Sequence, residues 1–388
     1  MKKTIILAAI ACVALAGCTK NERIADSPSG NAEISFNALS YKAPTKADVG
    51  SVAGTTYPAA EKFDVWSVFS QNDLSFADLG TASNYADFIG TGGGAGAPFA
   101  KASGAYWAGD GTHYYWPRAG KLSFVAFSPE SVNATFTWTS KSFALAGYSI
   151  SQNKDLMYSD ITPNKVRNDY TVDNPVLPYD DNPASGDTGF DDYKGVNILF
   201  HHAQALVQFK VVKENTAPNE TITVTGISLV NPYVTGDLAV TYTNFNAASA
   251  VWSNHSDETA NVVFTTGQTV EVPETTPVNV PSSAGIAAAG GTTNDFIILP
   301  QALNHSVNKV QVAITFTSKV GTVTSDPTTL NINLSDGQVS TPGDHTQWEP
   351  NKRYIYTIKF VGTEIILDPK VVDYDADVNV ALPDLSAY

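Results

Sequence analysis

The sequence predicts an all-β fold of sandwich type, divided into two domains, and three observations carry that reading. Short runs rich in Val, Ile, Thr, Tyr and Phe recur along the whole chain, each bounded by Gly, Pro, Asn or Asp. No long stretch has the 3.6-residue period of an amphipathic helix, and many short strands with turn chemistry between them indicate sandwiches. At 388 residues the chain also exceeds the usual size of one domain.

The first expected strand is "EISFNA", where Ile34, Phe36 and Ala38 alternate with Glu33, Ser35 and Asn37. Side chains on a strand point to opposite faces with period 2, so this segment has one apolar face. Further strands are expected at 62–70, 113–117, 121–129, 154–160 and 195–200 in the first half. In the second half they are expected at 205–212, 221–230, 237–243, 295–300, 309–318 and 353–360. The last is the C-terminal tail, where Val372, Tyr374, Ala376, Val378, Val380 and Leu382 alternate with Asp373, Asp375, Asp377 and Asn379. The run "GTGGGAGA" at 90–97 reads as a surface loop, and an Asp-, Pro- and Gly-rich stretch at 170–195 marks the junction. The expected domains are thus 47–198 and 199–388, with Trp66, Trp116, Phe124, Phe127, Phe200, Phe209, Ile314, Tyr354 and Ile358 among their buried residues.

The N-terminus reads as an export signal over residues 1–17: basic Lys2 and Lys3, an apolar run from Ile5 to Leu15, then Leu15-Ala16-Gly17-Cys18. That ending resembles a lipobox, with cleavage between Gly17 and Cys18 and lipid on the Cys18 sulfur. The apolar run is too short for an ordinary membrane span. Cys12 and Cys18 are the only cysteines, so the chain beyond the signal forms no internal disulfide. Formal charge is −15, and −17 once Lys2 and Lys3 are gone, which leaves no basic footprint for nucleic acid.

Catalytic patterns are missing from the sequence. The glycine run lacks the Lys-Ser/Thr ending of a phosphate loop, and neither G-x-S-x-G nor H-E-x-x-H occurs. His201 and His202, adjacent on a strand, face opposite ways and cannot share one metal. Asp180, Asp181, Asp187, Asp191 and Asp192 fit no EF-hand spacing and read as a solvated acidic loop. Trp107, Tyr114, Tyr115 and Trp116 are of a type that stacks on sugars, although strand aromatics are more often core. The expectation is a protein that is not an enzyme and needs no metal or cofactor.

Several stretches taken together and in order, "HYYWPRAGKLSFVAFSP", "KDLMYSD", "VNILFHHAQALVQFKV", "FIILPQAL" and "WEPNKRYIYTIKF", resemble the fimbrillin family of type V pilus subunits. The resemblance implies two tandem transthyretin-like antiparallel β-sandwich domains and export as an outer-membrane lipoprotein precursor. It also implies cleavage by a trypsin-like protease after a basic residue, and replacement of the released first strand by the C-terminal strand of a neighbouring subunit. On this sequence the leader is 18–46, with the cut between Lys46 and Ala47 and Lys42 as the second choice. The released strand carries Ile34, Phe36 and Ala38, and the donated one lies near 371–383. Expected partners are further pilin subunits of the same and accessory kinds, the protease, the outer membrane through Cys18, and a host or bacterial surface receptor for adhesion. The alternatives are a monomeric glycan-binding surface lipoprotein, or a tip or anchor subunit of the same pilus.

Overall fold

The computed structural model describes residues 33–41, 54–57, 59–81, 83, 85–102, 106–117, 119–152, 154–166, 195–214, 219–256, 262–265, 269–281, 295–305, 308–336, 346–361 and 364–373. Strands dominate them, with three short 3-10 turns.

The first half contributes β1 (Ser35–Tyr41), β2 (Gly54–Thr56), β3 (Phe63–Ser70), β4 (Tyr85–Ile89), β5 (Ala97–Lys101) and β6 (Trp107–Gly109). It continues with β7 (Lys121–Ser128), β8 (Thr135–Thr137), β9 (Ser142–Ser149), β10 (Met157–Ser159), β11 (Thr162–Lys165) and β12 (Val196–His202). Seven of these, in the order β7-β10-β12-β1-β6-β5-β3, form a sheet that closes on itself through the β3–β7 pairing. The alternation seen in the sequence sets the interior: Phe36 and Ala38, Phe63 and Val65, Leu122 and Phe124, and Ile198 and Phe200 all point into one buried cluster. Trp66, Val68, Val125 and Phe127, on the opposite faces of β3 and β7, enter a second cluster outside the ring.

That outer cluster is roofed partly by the second half of the chain. After β13 (Ala205–Glu214) and β14 (Glu220–Val230), the hairpin β15 (Thr235–Asn244) and β16 (Ala247–Ser256) crosses back. It extends a four-stranded sheet, β16-β15-β9-β8. Leu238, Val240, Tyr242 and Trp252 bring its apolar face onto Trp66 and Phe127.

The remaining strands are β17 (Val262–Thr265), β18 (Val270–Glu271), β19 (Val278–Asn279), β20 (Asp295–Ile298), β21 (Gln301–Ala302) and β22 (Gln311–Val320). After them come β23 (Val323–Thr324), β24 (Thr328–Asn333), β25 (Gln347–Trp348), β26 (Lys352–Val361) and β27 (Glu364–Asp373). One sheet runs β19-β13-β26-β27 with β20 also on β13, and the other is built on β14 and β22. Their facing residues, Phe209, Ile227, Ile314, Tyr354 and Ile358 among them, form the third cluster. This half is a sandwich.

All nine core residues expected from the sequence are buried. Three expectations need correction. Two ladders are parallel, β1 on β12 and β13 on β26, so neither half is purely antiparallel. The junction expected between residues 198 and 199 falls inside β12, and the chain leaves the ring at Ala203-Gln204 instead. Gln204 fastens that crossing, accepting from Leu156 N at 2.8 Å through its side chain and from Asn351 N at 2.9 Å through its carbonyl. Finally, 113–117 is not a strand; its only pairing is a single bridge between Tyr115 and Glu33.

Because the β15–β16 hairpin covers the ring, damage to it should cost as much as damage to the ring. Leu238→Ala is expected to lower stability by about 2–5 kcal/mol, read from the urea midpoint at unchanged m-value.

Candidate functional site

The site is the slot held by β1. On one side β1 pairs in parallel with β12, Phe36 to Ser40 against Val196 to Phe200. On the other it pairs antiparallel with β6 at Ser35 and Phe36, and with β2 at Leu39 to Tyr41. Ile34, Phe36 and Ala38 are each 0% exposed. The Phe36 ring is met edge-on by Phe99 at 4.9 Å, Phe124 at 5.2 Å and Phe63 at 6.2 Å between centroids. Burial of Ile34 and Phe36 contributes about 1.5–3 kcal/mol each.

Five further residues hold β1, and sequence reasoning gave none of them that role. His113 Nδ1 lies 2.6 Å from Glu33 Oε1 at its start, and Ile34 N donates to Tyr114 O at 2.7 Å. On the outward face Asn37 Nδ2 donates to Asn197 Oδ1 at 2.7 Å. Gly195 has φ of +76°, and a Cβ there would lie 2.7 Å from Ser35 O, so only glycine lets β12 begin against the β1 backbone. Tyr57 packs its ring on Phe63, Trp107 and Phe200 and shares a 2.6 Å hydrogen bond with Ser128 Oγ. Burial pushes its phenol far above the usual range. Only the glycine left a local trace, in "KGVNILF"; the others depend on partners distant in sequence.

Lys42, Lys46 and Ala47 lie in the 42–53 connection between β1 and β2, outside the described residues, as do Gly17 and Cys18. Tyr374, Ala376, Val378, Val380 and Leu382 also lie outside them. Val372 does not: it pairs with Arg353 in the β26–β27 ladder, so in this state it belongs to its own sheet.

The remaining candidates divide plainly. His202 is buried with Nδ1 2.9 Å from Asp155, whereas His201 reaches Asp160 at 3.0 Å from the other face, so they share no metal. Among the described residues no three potential ligands gather. The acidic loop 180–192 lies outside them. Trp107 and Trp116 are buried and Tyr114 stacks on Phe99, leaving only Tyr115, 42% exposed, facing solvent. An open groove of about 530 Å³ runs beside the β15–β16 hairpin, lined by Trp252, His255, Gln301 and Glu349.

These features meet a match in sequence. A family model described as fimbrillin-like matches residues 52–373. The chain belongs to that family. It is a family of structural fimbrial proteins, and the protein is not an enzyme. No curated protein sequence is similar enough to count as a match. Among solved structures, a candidate cell-adhesion protein from Bacteroides uniformis is 14% identical, covering 88% of this chain and 98% of its own, with a TM-score of 0.46. A fimbrial protein from Bacteroides vulgatus is 12% identical, with 89% and 100% coverage and a TM-score of 0.43. The tip fimbrial protein Mfa3 from Porphyromonas gingivalis, with a C-terminal truncation, is 14% identical, with 88% and 99% coverage and a TM-score of 0.34.

Two substitutions test this part of the fimbrillin-like chain. Trp116→Ala should cost about 3–5 kcal/mol in chemical denaturation, as a core residue does. Asp64, near Glu130 on β3, has its carboxyl raised to about 7, first by burial and then by that neighbouring charge. A raised carboxyl favours folding most below its unfolded pKa, so stability should fall as pH rises from about 4 to about 7. Asp64→Asn should remove that slope and raise the melting temperature at pH 7.5.

Proposed function

We propose that this fimbrillin-like protein is a structural pilus subunit, lipidated at Cys18 for export, trimmed after Lys46, and polymerised when a neighbour's C-terminal tail takes the place of β1. The single observation that carries this reading is the position of β1 in the closed ring. It is flanked on both sides, by β12 and by β6, so its departure leaves two unpaired edges and an apolar groove lined by Phe63, Phe99 and Phe124. Such a slot is a template for strand addition.

Two further facts support it. The only covalent tie between β1 and the body of the domain is the 42–53 connection, which contains both Lys42 and Lys46. One cut there frees the strand, whereas a cut at Arg23 releases nothing. The tail, in turn, is out of phase with its own domain. On β27 the residues facing the core are Ile365, Leu367 and Val371. Continuing that strand would place Asp373, Asp375 and Asp377 on the core face and Val378 and Val380 away from it. The tail's apolar face therefore suits some other surface.

A chain with both a removable strand and a tail of this kind fits the shaft, because a tip need only accept and an anchor need only donate. The contact is heterologous and does not close, so repetition gives a filament. The protease, accessory subunits and an adhesion receptor are the partners this role requires.

The test is filament formation by the unlipidated chain after trypsin trimming, followed by electron microscopy. Assembled protein should begin at Ala47. Because Val371 and Val372 belong to β27, the donor deletion begins at residue 374: removal of 374–388 should leave a folded subunit that no longer polymerises. Val378→Asp should block assembly, since an unpaired buried carboxylate costs several kcal/mol. Long filaments from the deletion variant would sink the proposal.

A further inference from the structure

The start of the tail repeats the strand it is proposed to replace. Residues 34–38 read "ISFNA" and residues 372–376 read "VDYDA". Position by position, Val372 answers Ile34, Asp373 answers Ser35, Tyr374 answers Phe36, Asp375 answers Asn37 and Ala376 answers Ala38. Both segments run β-branched, polar, aromatic, polar, alanine in the same N-to-C direction. The three inward members of the first are all fully buried.

We infer that the donated tail enters in the direction and register of β1, parallel to β12, with Tyr374 in the place of Phe36, Asp375 in that of Asn37 and Ala376 in that of Ala38. This rests on the strand-exchange reading above and adds to it which residue fills which pocket. Steric fit favours this register. The aromatic pocket made by Phe63, Phe99 and Phe124 receives a ring, and the position where β1 carries alanine receives alanine. A two-residue slip toward the C-terminus would offer Ala376 to the aromatic pocket and Val378 to the alanine position, leaving a void in one and crowding the other. A one-residue slip would turn aspartates inward.

The polar atoms fit as well. Asn197 now accepts from Asn37, and rotation of its amide would let Nδ2 donate to the Asp375 carboxylate. The tyrosine hydroxyl brings an oxygen into a core where Trp107 Nε1, on the strand directly opposite Phe36, is a buried donor with no acceptor. Beyond Ala376, Val378 falls at the place of Ser40, opposite the buried Phe200. Val372 and Asp373 would have to leave Arg353 and Lys352, the last two pairs of the β26–β27 ladder, where opening is easiest.

Cross-linking reads the register directly. The chain begun at residue 19 has no cysteine, so introduced thiols are the only ones. Trimmed Asn197→Cys protein is mixed with Asp375→Cys protein, assembled, oxidised mildly and run without reductant. Leu199→Cys is mixed in the same way with Asp377→Cys, since position 39 of β1 pairs with Leu199. Both mixtures should give disulfide-linked dimers, as in-register neighbours on one face lie within disulfide reach. Asn197→Cys with Asp377→Cys or Asn379→Cys should give none, and Leu199→Cys with Asp373→Cys should give none. Dimers from Asn197→Cys with Asp377→Cys or Asn379→Cys in place of Asp375→Cys would overturn the register. Dimers from Leu199→Cys with Asp373→Cys would overturn the direction. If unsubstituted trimmed protein forms no filaments, strand exchange itself fails, and this inference fails with it.

Discussion

The ring of strands in the first half is unbroken only while β1 is in place. Remove that one strand and β12 loses its parallel partner, β6 loses its neighbour at Ser35 and Phe36, and β2 loses its only pairing. The interior then opens onto solvent along the groove that Phe36 now fills. A closed sheet has no edge to recruit another chain, which is how barrels avoid aggregation. In the proposed assembly, the precursor is protected by the same strand whose loss would make it adhesive. Protection and assembly are two states of one slot.

In that proposal, covalent attachment decides which state prevails. While the 42–53 connection is intact, β1 re-enters its slot intramolecularly, at an effective concentration on the order of millimolar. A neighbour's tail at micromolar concentration competes at about a thousandfold disadvantage, roughly 4 kcal/mol. Cutting the connection removes that advantage without altering any contact in the ring. The contest then falls to the strands themselves. The resident offers Ile34, Phe36 and Ala38, and a longer apolar face wins by burying more area. Ladder hydrogen bonds are nearly the same for either occupant and do not separate them.

Much of this fold was legible locally. The alternation in 34–38 marked Ile34, Phe36 and Ala38 as one face, and the runs at 63–70, 121–128 and 196–200 were legible as strands, because the period of a strand is a property of the backbone alone. What local pattern cannot carry is the identity of the neighbour. Asn37 meets Asn197 across 160 positions, and nothing in either segment announces a parallel pairing. The segment 237–243 reads as a strand of the second half, yet the apolar face of the β15–β16 hairpin it belongs to packs on Trp66 and Phe127. At 113–117 the aromatic density of a strand misled: Tyr114 and Trp116 pack against the ring's aromatics without a ladder, because a side chain needs only space and a backbone needs a partner.

The phase of the last strand shows how one residue can separate two roles. Along β27 the core takes the odd-numbered residues, Ile365, Leu367 and Val371, and Pro369 on the same face is also buried. From Tyr374 onward the apolar residues are even-numbered. A strand cannot serve both sets on one face, since each step of one residue reverses every side chain. The change of phase at Val371-Val372-Asp373 therefore sets the apolar pattern of 374–382 against the core face of β27, as the proposed donation requires. An in-phase alternation would match residues 374–382 to the core face of β27 and leave little apolar surface for another molecule. Aspartates at 373, 375 and 377 oppose burial on that face, because burying even one carboxylate without a partner costs more than a valine returns. Such a device specifies against self-satisfaction, as polar residues at sheet edges specify against unwanted pairing. A sequence free to choose any period-2 pattern has been given the one that its own sandwich cannot use.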